Sequence, residues 1–347
     1  MLDNLNDCIM PYWIDKMVDP RGGFYGRRDG HDRLDEDTPK GAILNGRLLW
    51  SFASAYRTTG NPKYLEMATR AKDYILTHFY DTEFGGVYWS VNADGTPLDT
   101  KKQFYAIGFV IYGLSEYVRA TGDKEALAVA VKLFHDIENH SRDRERGGYL
   151  EACTRDWGRI EDMRLSDKDE NMAKTMNTHL HIIEPYTNLY RVWPDESLRE
   201  AIMKLLDIFF DVMEDKDTHH LGLFFDEDWT RHDHEISYGH DIEASWLLLE
   251  TAQVLDDPEI TVKAMRHTRA IAEAALEGRT PDGSMIYELY GDGRVDDDRH
   301  WWVQAENVIG QVYLYKYHGI PEALDCAYQT WSYIKDNLVD REGGEWY

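Results

Sequence analysis

A glycine step into an aromatic or apolar run recurs six times along this chain, so the fold is built from one unit used repeatedly. The clear copies are Gly22-Gly23-Phe24-Tyr25, Gly85-Gly86-Val87-Tyr88-Trp89, Gly147-Gly148-Tyr149 and Gly343-Gly344-Glu345-Trp346-Tyr347. Looser copies are Leu221-Gly222-Leu223-Phe224-Phe225 and Asp282-Gly283-Ser284-Met285-Ile286-Tyr287. Counted from the second glycine or its equivalent, the steps are 63, 62, 74, 61 and 61 residues.

Between the glycine steps lies a second recurring feature, a short polar turn. Its copies are Thr59-Gly60-Asn61-Pro62, Thr121-Gly122-Asp123, Trp193-Pro194-Asp195-Glu196, Asp256-Asp257-Pro258 and His318-Gly319-Ile320-Pro321. Each joins a helix stop to a helix start, with Gly or a nearby Pro followed by Asp, Asn or Pro where a cap or first turn belongs. Apolar residues flank the turns at helical intervals, as in Leu65, Ala68, Ala71 and Ile75. Eleven helices are predicted, near 4–18, 41–58, 62–79, 101–120, 124–140, 172–192, 196–214, 237–254, 258–277, 299–317 and 320–337. The aromatic segments after the glycines are expected as short hairpins or extended loops.

Six helical hairpins closing on themselves make an all-α (α/α)6 barrel, here one domain over residues 1–347, and an open solenoid is the alternative. Six markers, and polar residues gathered at equivalent helix starts, favour closure. Eleven helices leave the last inner helix absent from the sequence, and its expected place is after Tyr347.

Hydrophobic residues make up 43% of the 347, ample for a large core, and 11 Trp with 22 Tyr also suit clefts that meet sugar rings. A net charge of −26 argues against nucleic acid and anionic membranes as partners. Three cysteines are too few and scattered for a disulfide framework, and no apolar run approaches a membrane span. A cytoplasmic protein is expected, as a monomer or weak homo-oligomer.

Alternate helices open with unusual polar and aromatic groups: Arg47; Tyr105; Asn177 and His181; His240, Glu243 and Trp246; Trp302 and Glu306. Buried polar groups need partners, so their recurrence at equivalent positions marks a shared site. His240 and Glu243 stand three apart on one helix face, where a carboxylate can orient the ring. His219, His220, His232 and His234 fall in a polar loop and read as solvated. His179 and His181 do not make a metal pair, because residues two apart on a helix point nearly opposite ways, and no third ligand completes a zinc set. The Gly-Gly steps lack the context of a phosphate cradle. Neither metal nor cofactor is expected.

The segments around these residues resemble a known family. Lys40-Gly41-Ala42-Ile43-Leu44-Asn45-Gly46-Arg47, Lys174-Thr175-Met176-Asn177-Thr178-His179-Leu180-His181, Ser237-Tyr238-Gly239-His240-Asp241-Ile242-Glu243-Ala244-Ser245-Trp246 and Trp301-Trp302-Val303-Gln304-Ala305-Glu306 are similar to the signatures of the cellobiose 2-epimerases, in the N-acylglucosamine 2-epimerase superfamily. The resemblance implies an (α/α)6 barrel and cofactor-independent epimerisation at C2 of the reducing-end glucose in β-1,4-linked disaccharides such as cellobiose, lactose and mannobiose. It also implies His240 as an acid/base group with Glu243 as its partner, Arg47 stabilising the enediolate oxyanion, and His181 in ring opening or in binding O1 and O5. Tyr105, Asn177, Trp246, Trp302, Glu306 and Asp169 would hold the sugar. A second acid/base histidine is implied in the twelfth helix.

Other readings stand beside this one. A mannose isomerase of the same superfamily would make fructose. An inverting glycosidase on the same barrel would use two carboxylates about 6.5–9.5 Å apart, here Glu243 and Glu306. A non-catalytic sugar-binding barrel would bind disaccharide without turnover.

Overall fold

The computed structural model describes residues 1–165, 170–232 and 234–347. Among them eleven helices follow the expected order: α1 (2–16), α2 (Ala42–Thr59), α3 (62–79), α4 (Phe104–Thr121), α5 (Lys124–His140), α6 (Met176–Tyr190), α7 (196–213), α8 (Tyr238–Leu255), α9 (Pro258–Ala275), α10 (Trp301–His318) and α11 (Glu322–Asn337). The largest departures are at the starts of α4 and α6. There Lys102–Gln103 and Lys174–Thr175 form two-residue strands rather than helix. A two-residue strand is too short to show an alternating pattern in sequence.

Two compact units contain these helices: residues 1–173 with 181–199, and residues 174–180 with 200–347. In the first, α2 packs on α3 and α4, and α4 on α5. In the second, α8 packs on α9 and α10, and α10 on α11. Fourteen of the eighteen residues of α4 are buried, which its nearly continuous apolar sequence demands. Gly46 lets α2 approach closely, since a Cβ there would stand 2.8 Å from the Phe109 carbonyl of α4. Gly108 does the same for α6: its Cβ would lie 2.3 Å from the carbonyl oxygen of His181.

The polar turns work as the sequence suggests. Asn61, Asp123 and Asp257 accept hydrogen bonds from first-turn amides of α3, α5 and α9, and left-handed Gly60, Gly122 and Gly319 end α2, α4 and α10.

The glycine steps are tight hairpins, and each is tied to a residue at its start. The Gly22 amide donates to the Asp19 carbonyl while the Asp19 amide donates to Gly23, at 3.0 and 3.2 Å. Asp81 and Asp143 repeat this pair of bonds with both glycines of their steps, whereas Thr280 makes it with Gly283 and Ser284 and Asp340 with Gly344 and Glu345, so the fifth and sixth copies stand one residue later than the glycine count places them. In the fourth copy the pair joins Asp215 to His219 and His220 at 2.9 and 3.0 Å, so the true equivalent of the second glycine is His220, not Gly222. His219 takes the left-handed conformation there, φ 65°, which disguised this copy in the sequence.

Two of these aspartates also receive a buried lysine from the strand that opens the next core helix. Lys40 Nζ lies 2.7 Å from Asp19 Oδ2, and Lys102 Nζ 2.9 Å from Asp81 Oδ2, with every one of these side chains 1% exposed or less. Arg155 Nε adds a bond of 2.8 Å to Asp81 Oδ2. Lys174, the third of the series, is fully buried, donates to the Glu227 carbonyl at 2.7 Å and lies 4.6 Å from the Trp229 ring centre. Burial alone would raise the Asp81 carboxyl, but bonds from Arg155 and Lys102 outweigh it and hold the group well below the usual carboxylate range.

Lys102→Met should therefore cost about 1–3 kcal/mol in a denaturant titration, because it removes one of the two cations that hold the buried Asp81 and leaves Arg155. The depressed Asp81 means that the folded state binds fewer protons than the unfolded one in acid. Its contribution to stability should be complete above about pH 4 and fade as pH falls through the native value, as urea titrations across that range would read.

Candidate active site

In the first unit, the opening turns of α2, α4 and α6 build one cluster. Arg47 lays its guanidinium 4.0 Å from the centre of the Phe109 ring and brings Nη2 to 3.4 Å from the Tyr105 hydroxyl. The His181 ring packs 4.9 Å from both Tyr105 and Phe109, edge-on to the tyrosine. Its Nδ1 lies 3.0 Å from Glu184 Oε2, one helical turn on. Burial pushes the His181 imidazolium down, Glu184 pulls it up and the Arg47 charge pushes it down again. The net direction is below the usual histidine value, which favours the neutral ring.

In the second unit, α8 opens with Ser237, whose hydroxyl is 2.8 Å from His240 Nδ1. The His240 ring lies 4.9 Å from Trp302, which Tyr287 meets edge-on at 6.2 Å. Glu243 is buried one turn after His240. Trp246 donates its indole N–H to Glu306 Oε2 at 2.7 Å and packs against Tyr313. Asn177, in the first turn of α6, has a buried Oδ1 without a hydrogen-bond partner among the described residues. Such an acceptor suits a sugar hydroxyl.

The sequence-predicted residues thus fall into two sets: Arg47, Tyr105 and His181 in one unit, and Asn177, His240, Glu243, Trp246, Trp302 and Glu306 in the other. Asp169 lies outside the described residues. On His240 Nδ1 stands the Ser237 hydroxyl, a partner that the sequence reading did not name. Phe109 and Glu184 also escaped the sequence reading. Glu184 was accessible to it, standing three residues from His181 just as Glu243 does from His240.

One loop histidine needs correcting. His220 is buried, with Nδ1 2.7 Å from Asp241 Oδ2 in the first turn of α8. His232, by contrast, is half exposed beside Asp226. His179 is a core group: Nδ1 donates to the Thr175 carbonyl at 2.7 Å, and burial pushes the ring down to about 4. Among the described residues no group of three or more His, Cys, Asp or Glu side chains is arranged to hold a metal ion, and no helix is long and apolar enough to cross a membrane.

Chemically, each set combines an imidazole with aromatic faces and uncharged hydrogen-bonding groups. The first adds a fixed cation beside the ring. Such groups recognise a polyhydroxylated, uncharged molecule, move a proton and stabilise an oxyanion.

Residues 23–347 match the N-acylglucosamine 2-epimerase (GlcNAc 2-epimerase) family. A cellobiose 2-epimerase of Bacteroides fragilis is 56% identical over 349 residues, covering 100% of this chain and 89% of that protein. The structure of a cellobiose 2-epimerase from Bacillus thermoamylovorans B4167 is similar with a TM-score of 0.95 at 37% identity, over 100% of this chain and 89% of that one. A D-mannose isomerase of Marinomonas mediterranea is more distant, 23% identical over 97% of this chain and 86% of that protein. The fold class is all-α, of the (α/α)6-barrel type.

Glu288 pairs with Ser237 in a small antiparallel sheet just before α8. Burial, with Glu235 and Asp296 nearby, pushes its carboxyl up to about 7. The folded state then holds a proton that the unfolded chain has lost, so stability should fall as pH rises from roughly 4.5 to 7 and level off above. Glu288→Gln should remove this dependence and gain stability relative to wild type above about pH 5, measured by thermal melts across pH.

Proposed function

Because this chain belongs to the N-acylglucosamine 2-epimerase family, we propose that it inverts C2 of the reducing-end glucose in β-1,4-linked disaccharides, converting cellobiose to glucosyl-mannose and lactose to epilactose. The observation that carries the residue assignment is the His181 imidazole packed into the same aromatic cluster as the Arg47 guanidinium.

The chemistry follows from these groups. The sugar must first open: the O1 proton leaves to a base, the C1–O5 bond breaks and O5 takes a proton, giving a C1 aldehyde. A neutral His181 suits the base role, with the Tyr105 hydroxyl and Asn177 Oδ1 as hydrogen-bonding partners for the sugar. The C2 proton is then acidic because its electrons can pass to the carbonyl oxygen, forming a cis-enediolate. His240 accepts that proton on Nε2 while Ser237 occupies Nδ1, and Glu243 supports the positive ring. Arg47 supplies the fixed positive charge that the enediolate oxygen needs; such preorganised donors are commonly worth about 3–4 kcal/mol in the transition state. Return of a proton to the opposite face of C2 completes the inversion. Trp302 offers a flat face for the apolar side of a pyranose, and the Trp246–Glu306 pair holds a carboxylate oriented for sugar hydroxyls.

Incubation with cellobiose in D2O should place deuterium at C2 of the sugar, with no monosaccharide released, as read by NMR and mass spectrometry. Free glucose would instead indicate hydrolysis, and absence of C2 exchange would overturn the proposal. Arg47→Met should lower the exchange rate about 100-fold or more if the guanidinium stabilises the enediolate.

A further inference from the structure

We infer that Glu184 is a positioning residue for His181: its carboxylate holds the Nδ1 proton and leaves Nε2 as the nitrogen that accepts a proton from the sugar. The inference rests on the proposed role of His181 in sugar ring opening.

Geometry carries it. Nδ1 and Oε2 are 3.0 Å apart, three residues along one helix, with side chains 5% and 11% exposed. A carboxylate can only accept, so a neutral imidazole facing it must carry its proton on Nδ1. Of the two neutral tautomers, only one fits this contact. The remaining walls restrict the ring's rotation, with Tyr105 edge-on and Phe109 inclined at 38°, each at 4.9 Å. A carboxylate–histidine pair so enclosed fixes which nitrogen is basic and aims it.

The pair also adjusts basicity in a definite direction. The titratable and charged groups facing His181 are Glu184 on its own helix, Arg47 on α2 and Tyr105 on α4. Burial and Arg47 both disfavour the imidazolium, and Glu184 opposes them by hydrogen bond and charge. Without it, the ring would be a weaker base beside a fixed cation. His179 shows the other arrangement: its Nδ1 proton goes to a backbone carbonyl, and burial leaves it titrating at about 4.

The test uses Glu184→Gln, which keeps an acceptor oxygen but removes the charge, and Glu184→Ala, which removes both. Long-range 15N spectra of the histidine rings, with His181 assigned by its disappearance in His181→Asn, should show an Nδ1-protonated ring in wild type and a mixture of tautomers in Glu184→Ala. The pH profile of cellobiose C2 exchange should show the acid limb of kcat moving to lower pH in Glu184→Gln, because the upward pull on the imidazole is gone. The plateau should fall about tenfold or more, with KM little changed. A purely structural role predicts a lower melting temperature with an unmoved acid limb and unchanged tautomer, and that result would overturn the inference. If wild type exchanges no C2 proton, the epimerase reading fails by itself, while the nitrogen spectra still decide whether Glu184 sets the tautomer.

Discussion

A buried lysine, held by an aspartate from the preceding hairpin turn, fixes where the core helices of the first unit begin. Lys40 with Asp19 and Lys102 with Asp81 are the two instances, and in both the lysine stands two residues before the helix. Two charges taken out of water are tolerated only when geometry and further hydrogen bonds repay desolvation. The hairpin provides them: the Asp19 side chain also receives the Arg21 amide, and Asp81 receives the amides of Glu83 and Phe84. The glycines are needed because this turn must pass through left-handed backbone before running into the aromatic segment. In these two copies the glycine step is thus the visible half of an ion-pair device whose other half arrives about twenty residues later.

Helix starts fixed in this way place chemistry within one or two turns of the anchor. Arg47 is seven residues from Lys40 and Tyr105 three from Lys102. Close helix approach at Gly46 and Gly108 then sets these residues among common neighbours, with Phe109 touching both Arg47 and His181. In the second unit the opening strand ends in Ser237, whose hydroxyl meets His240 directly.

Helix number, order and nearly all boundaries were legible because caps and 3.6-residue periodicity are local signals. Most of the candidate site was legible for a related reason: polar residues at equivalent helix starts stand out against an apolar pattern. What escaped depends on distant partners. His220 looked like a solvated loop residue because Asp241, which buries it, comes 21 residues later. The fourth repeat was misplaced by two residues because His219 adopts a backbone conformation that glycine usually advertises. The lysine series Lys40, Lys102 and Lys174 shares the repeat spacing, yet buried lysine is so uncommon that composition argues against it until the partners are seen, Asp19, Asp81 and the Glu227 carbonyl.

If the buried ion pairs at the helix starts set helix register, they also set the position of the side chains proposed to act on the sugar. This link is tested most directly by the cellobiose C2-exchange rate of Lys40→Met, measured at a temperature where circular dichroism shows the variant fully folded. Loss of the Asp19 pair should let the start of α2 shift and carry Arg47 with it. The account predicts a fall of roughly tenfold to 100-fold, as expected for a displacement of about 1 Å at a catalytic group. A folded variant exchanging at the wild-type rate would contradict it.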